Sequence, residues 1–320
     1  MLRRTLLFAA LLLPGLAAAQ GLPDIFATAR TDLHPATVLA TFAPMTFIEN
    51  MIELPDGRIV ATSTFGGRVY LIEGAETTLL AELPGAHVLC LERFGADLIV
   101  TANGPAPADS HNPPGLEGYP TEGALYRIAL DGTVEKLARL PEAMFANGIA
   151  KAPDGLYLIA GSARGKIYAF DPQSRETRVW LEHPALAPGQ VFPIGVNGLR
   201  VVGDQVYFAN TGQFTLGRID YATRAVTPLH EGILIDDFAV AADGTIYGAT
   251  HAYNSVVAVA PDGARSLIAD ASSGATGSTS VRIDARGDLL VSTGGNANYA
   301  VLGLTRADVV PSHVLRIDLP

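Results

Sequence analysis

From residue 36 onward the apolar residues fall in short runs, many of them alternating with polar ones, and the runs are broken by Asp-Gly and other glycine-bearing turns. That period belongs to strands, and helical periodicity is scarce. The turns define a recurrent frame. Glu49 stands eight residues before Gly57, His87 eight before Gly95, and Asn147 eight before Gly155. Asp236 stands eight before Gly244, Thr279 eight before Gly287, and Asn197 seven before Asp204. After each turn comes a second run (RIVATS, DLIVTAN, LYLIAGS, QVYFANT, TIYGATH, DLLVSTG) and then a third (RVYLIE, ALYRIA, KIYAFD, TLGRID, SVVAVA, HVLRID). A fourth is readable in the first five units.

The six frame positions are separated by 38, 60, 50, 39 and 43 residues. Units of about 40 residues with four strands each describe propeller blades. The sixth unit ends at Pro320 without a fourth strand, and a spare strand, ATVLATF at 36–42, precedes the first. The expected fold is therefore an all-β, six-bladed β-propeller of four-stranded blades. It forms one domain over 36–320, and the N-terminal strand completes the last blade and closes the ring.

The start of the chain reads differently. MLRR followed by TLLFAALLLPGLAAA is expected to be a secretory signal peptide over 1–19, leaving an extension at 20–35. Arg3-Arg4 makes a weak twin-arginine match, so the export route stays open. No later apolar stretch is long enough to span a bilayer. The expected location is exported, periplasmic or secreted. With 32 acidic against 22 basic residues the net charge is −10, which argues against a nucleic-acid partner. The expected partner is a small molecule; no protein partner is readable. Cys90 is the only cysteine, so no intramolecular disulfide forms, and it reads as a small buried strand residue rather than a catalytic thiol.

In a propeller the innermost strands line the central channel, so Glu49, His87, Asn147, Asn197, Asp236 and Thr279 should converge on one face. Glu49 and Asp236 would repel unless a cation or proton intervened. Two carboxylates with amide oxygens suit calcium, or another hard divalent ion, better than zinc. Asn50 and Asp237 are neighbouring ligands or turn residues. Two long connections, 103–123 and 294–311, are expected as lids over the same opening. His111 in the first, with His251 and Tyr253 after the second strand of unit five, should face it and contact substrate.

With these residues in view, the chain resembles the calcium-dependent propellers of the gluconolactonase/senescence marker protein superfamily and the related paraoxonases, over about 36–318. ENMIELPDG resembles the paraoxonase-type first blade, with Glu49 at the metal-carboxylate position. VNGLRVVGDQVYFANT resembles the blade whose Asn, here Asn197, is a calcium ligand. IDDFAVAADGTIYGATH resembles the blade of the second metal carboxylate, Asp236 with Asp237 as neighbour or rival. NGIAKAPDG puts Asn147 at a metal or substrate position.

The resemblance implies hydrolysis of lactones or related small esters, with calcium polarising the carbonyl. His87 sits where the paraoxonase base would be. That family's second histidine would fall near Gly104 and is absent, so His87, Asp236 and Asp237 all remain candidate catalytic groups. The alternative is a non-catalytic propeller with a structural calcium, serving as a ligand- or protein-binding module. Strictosidine-synthase-like condensation shares the architecture, but nothing here points to its amine chemistry.

Overall fold

The computed structural model describes residues 21–104, 122–140, 145–299 and 302–320. The leader expected at 1–19 lies outside the described residues. Among those described, no helix is long and apolar enough to cross a membrane.

Six antiparallel sheets are arranged as a six-bladed β-propeller. Blade 1 is Ile48–Glu53, Ile59–Ser63, Arg68–Glu73 and Glu76–Glu82 from the axis outward; blade 2 is His87–Phe94, Asp97–Gly104, Glu122–Ile128 and Val134–Leu140. Blade 3 is Ala146–Lys151, Tyr157–Gly161, Lys166–Phe170 and Thr177–Glu182; blade 4 is Val196–Val202, Gln205–Asn210, Thr215–Asp220 and Val226–Glu231. Blade 5 is Phe238–Val240, Ile246–Ala249, Val256–Val259 and Arg265–Ala269. Blade 6 is Ser278–Ile283, Leu289–Thr293 and Ser312–Ile317, and its outer strand is Ala36–Phe42. That strand pairs antiparallel with Ser312–Ile317, so the ring closes as its missing strand implied. Each inner strand packs against the next, the sixth against the first.

Because both faces of every blade are covered, the central strands are apolar almost throughout rather than strictly alternating. The core divides into clusters seated between neighbouring blades. Val60, Val69, Val88 and Leu98 lie between blades 1 and 2, and Leu158, Ile167, Leu199 and Phe208 between blades 3 and 4. Ile48, Met51, Leu290 and Val314 join blade 6 to blade 1. Each such side chain stabilises by about 1.5–3 kcal/mol through burial, so the ring is held by its blade interfaces.

The inner hairpins share one irregularity. In blades 1, 2, 3, 4 and 6 the register slips by one residue at the start of the inner strand, between Ile48 and Asn50, Val88 and Leu91, Ala146 and Ile149, Val196 and Leu199, and Ser278 and Ser280. In blade 5, Asp236 and Asp237 both pair with Ala249. A β-bulge of this kind bends the strand and re-aims its side chains.

Residues 21–31 run along the ring instead of trailing from it. Leu22 and Ile25 bury themselves among Leu234, Ile235 and Tyr253, and Arg30–Thr31 adds a parallel fifth strand to blade 5. Ile25 is 1% exposed. Ile25→Ala should therefore cost about 2–5 kcal/mol, the range for a buried large-to-small change, despite its place outside the repeat. Urea denaturation of the two proteins checks this.

Candidate functional site

The bulges stack two layers of side chains along the channel. The first of each pair forms the floor of a cavity of about 130 Å³, with Glu49, Leu89, Asn147, Asn197 and Asp236 all lining it. The second lies one step deeper, where Asn50, Cys90, Asp237 and Ser280 are buried and joined by hydrogen bonds. Blades 3 and 4 have glycine in the deeper layer for lack of room. A Cβ on Gly148 would stand 2.3 Å from the Asn197 carbonyl oxygen, and one on Gly198 would stand 2.4 Å from Asp237 Oδ1.

Asp237 is the hub of the deeper layer. Its Oδ2 accepts from Arg200 at 2.6 Å, Ser280 Oγ at 2.7 Å and Asn50 Nδ2 at 2.8 Å, and its Oδ1 accepts from the Phe238 amide at 2.9 Å. Burial, then the nearby Arg282 guanidinium, pulls the Arg200 pKa down while Asp237 holds it up. A carboxylate with four donors has little left for a ligand. Between the two candidates, Asp236 lines the cavity and Asp237 does not, so the expectation that Asp237 takes part in catalysis or ligation is not met by its placement.

The floor is differently balanced. Asp236 accepts from Asn197 Nδ2 at 2.5 Å and lies 3.3 Å from His251 Nδ1, off the angle of a hydrogen bond. His251 Nε2 meets Asn298 Oδ1 at 3.1 Å. Glu49 is 7% exposed, and no hydrogen bond reaches its carboxyl among the described residues. Burial first, then the charges of Asp236 and Asp237, push its pKa well above the ordinary carboxylate range. A group in that state takes a proton or a cation. Asn147 Oδ1 accepts from the Cys90 thiol at 3.6 Å, and burial pushes that thiol's pKa well up, so it stays a donor.

Blade 2 departs from the frame. Its inner hairpin turns on two residues, Gly95 and Ala96, where that of blade 1 uses five, so Leu89 and not His87 is the counterpart of Glu49. His87 lies two residues nearer the mouth, half-buried, with its ring edge-on to Phe65 at 6.1 Å. Burial lowers its pKa. Thr279 also leaves the floor: its hydroxyl donates to the Ile48 carbonyl.

Tyr253, expected at the opening, turns the other way. Its hydroxyl donates to the Pro23 carbonyl and its ring packs T-shaped on Phe26 at 5.7 Å. Asn298 and Leu302 of the 294–311 connection do reach the cavity. His111 and most of the other expected lid lie outside the described residues. The upper wall, which the sequence frame did not single out, is apolar: Phe47, Phe65, Phe145, Phe192, Ile194 and Leu234.

No protein-family model matches the sequence, and no curated protein matches it. Solved structures share the fold. Virginiamycin B lyase from Staphylococcus aureus is 12% identical with a TM-score of 0.54, covering 88% of this chain and 100% of that one. The PQQ-bound aldose sugar dehydrogenase from Streptomyces coelicolor is 15% identical with a TM-score of 0.59, covering 91% and 100%. A glucose dehydrogenase is 10% identical with a TM-score of 0.61, covering 89% and 99%.

Two outcomes are expected. Arg200→Met leaves Asp237 charged and unpaired in the channel and should cost about 3–5 kcal/mol, most of it recovered when Asp237→Asn is added, as read by denaturant titration. The second concerns Glu49 in chelator-treated protein. Its raised pKa means that its stabilising, protonated form is complete below the unfolded-state pKa and is lost as pH rises through the folded one. Glu49→Gln should thus flatten the fall in melting temperature above about pH 4.3, and a variant that tracks the parent at every pH would contradict the assignment.

Proposed function

We propose that the chain is an exported, calcium-dependent hydrolase of lactones or related small esters, working at the mouth of the central channel. One observation carries this reading: Glu49 is a buried carboxyl with a raised pKa and, among the described residues, no hydrogen-bond donor, sharing a floor with Asp236. Asn147 and Asn197 bring amides to the same floor. Among the described residues no three His, Cys, Asp or Glu side chains are grouped to hold a metal ion. The set we propose is instead two carboxylates, Glu49 and Asp236, with the amide oxygens of Asn147 and Asn197. Such an all-oxygen set suits calcium or another hard divalent ion. An amide can present oxygen where it now presents nitrogen by a half-turn of its end, so Asn197 remains usable. The resemblance to the gluconolactonase and paraoxonase propellers points the same way. The fold neighbours are by name a lyase and sugar dehydrogenases, which supports a catalytic use of the architecture but transfers no reaction.

Calcium held there would polarise the substrate carbonyl and stabilise the negative charge that gathers on its oxygen. His87 is the better placed of the two imidazoles to act as base. It faces the cavity, burial lowers its pKa and so favours the neutral ring a base needs, and its ring has no hydrogen-bond partner among the described residues. His87 accepts a proton as water adds to the carbonyl carbon, and the proton passes to the alkoxide as the acyl–oxygen bond breaks. His251, between Asp236 and Asn298, orients the floor and the bound substrate.

Calcium titration by calorimetry on the chelated protein is the test, paired with turnover of a lactone panel. One site per chain is expected, lost in Glu49→Ala and Asp236→Ala proteins that stay folded. His87→Gln should lower kcat/KM by about 10²–10⁴-fold and remove an acid limb lying below the ordinary histidine value of 6.5. Calcium binding without turnover would leave the structural-ion binding module as the better account. Absence of calcium binding would overturn the reading.

A further inference from the structure

The wall above the floor contains two phenylalanines in a backbone conformation that phenylalanine disfavours. Phe47 and Phe145 stand two residues before Glu49 and Asn147. Their carbonyls accept from the Thr64 and Ser162 amides, both at 3.1 Å, and in blade 6 the Gly277 carbonyl accepts from Gly294 in the same way at 2.7 Å. All three residues are left-handed, with φ of 49°, 58° and 61°. Glycine adopts that conformation freely, whereas a side chain with a Cβ is strained in it. Blade 6 builds the turn with no side chain at all, so the turn itself does not call for a ring. In blades 1 and 3 the strained position nevertheless carries one, and both rings line the cavity. The neighbours accommodate the first: a Cβ on Gly294 would come within 2.7 Å of the Phe47 ring. Phe65 continues the apolar surface at 5.2 Å from Phe47.

We infer that Phe47 and Phe145 are specificity-determining residues that recognise a compact apolar group, aryl or branched alkyl, carried beside the carbonyl of the substrate. This deepens the proposed hydrolase reading and rests on it only for the carbonyl. The apolar side chains of the wall give a compact apolar group a continuous surface to lie against. A polyhydroxylated ligand would instead press its hydroxyls against rings that cannot pair with them. Strain at a cavity-facing position, with the same turn met by glycine elsewhere in the ring, favours a side chain kept for contact.

The probes are α-phenyl-γ-butyrolactone, γ-butyrolactone and glucono-δ-lactone for turnover, with the α-phenyl-substituted and unsubstituted γ-lactams, which resist hydrolysis, for calorimetric binding. With calcium present, kcat/KM should favour the phenyl lactone over γ-butyrolactone by about 10–100-fold, and glucono-δ-lactone should be the poorest. In Phe145→Gly and Phe47→Gly proteins the phenyl preference should fall to within about threefold of unity. Phe145→Asn, which tolerates left-handed backbone, should do the same if a glycine variant fails to fold.

Melting temperature separates contact from scaffolding. Phe145→Gly sheds strain and should lower it less than Phe208→Ala does in the core. Equal turnover of all three lactones would overturn the inference and leave the hydrolase standing. No turnover of any lactone, with the phenyl lactam still bound at least tenfold tighter than the plain lactam and that advantage lost in the variants, would sustain the inference and remove the hydrolase. An unchanged preference in Phe145→Gly and Phe47→Gly, with melting temperatures as low as that of Phe208→Ala, would make the rings structural and overturn it.

Discussion

Glu49, Asp236 and Asp237 repel one another inside a buried channel, and their surroundings answer the repulsion in three ways. Asp237 is neutralised outright by Arg200 and held by three further donors. Asp236 is partly answered, by an amide and by the nearby ring of His251. Glu49 has no hydrogen-bond donor on its carboxyl among the described residues. The cost of keeping Arg200 buried beside Arg282 is borne so that one carboxylate can be silenced while its neighbour in sequence stays available. Excess negative charge is thereby concentrated at a single open place on the cavity floor, which is where a cation, a proton or a developing positive charge on a ligand would be drawn.

The separation of Asp236 from Asp237 is a product of the bulge. In a regular strand, side chains alternate between the two faces, and the channel would receive one residue in two. The extra residue lets consecutive side chains both reach toward the axis, at different depths. Glu49 and Asn50, and Leu89 and Cys90, follow the same division, with the deeper member feeding the hydrogen-bonded network; in blade 6 only the deeper Ser280 follows it, because Thr279 turns to the Ile48 carbonyl. Asn-Gly serves in blades 3 and 4 because the deeper place there is already filled by backbone and by Asp237. A repeated backbone device thus makes a floor and a plug from one set of short motifs.

The blades and the closing strand were legible because their signals are local: turn residues, alternation, and a strand left over at one end. The frame of blade 2 was not, since a two-residue turn places Gly95 differently from Gly57, and counting back from it lands on His87 instead of Leu89. Asp236 and Asp237 could not be told apart in sequence because what distinguishes them is Arg200, 37 residues away, and Ser280, 43 away. Tyr253 was misread for a similar reason: its partner is Pro23, 230 residues distant and outside the repeat. Phe47 and Phe145 left no mark in the hydrophobic pattern. Their left-handed backbone becomes visible only when the turn of blade 6, made by Gly277, can be laid beside theirs.

Floor and wall are also coupled energetically. Desolvation by burial is the largest cause of the raised Glu49 pKa, and apolar side chains line the cavity that its carboxyl faces. The same low polarity strengthens the attraction between the two carboxylates and any cation set between them. An apolar group seated against Phe47 and Phe145 would thicken that layer and strengthen it further. A polar group would bring water or unpaired hydroxyls toward the floor and weaken it. Selection of a ligand and the electrostatic strength of the floor would then draw on one physical source, and gains on both accounts would offset the backbone strain at Phe47 and Phe145.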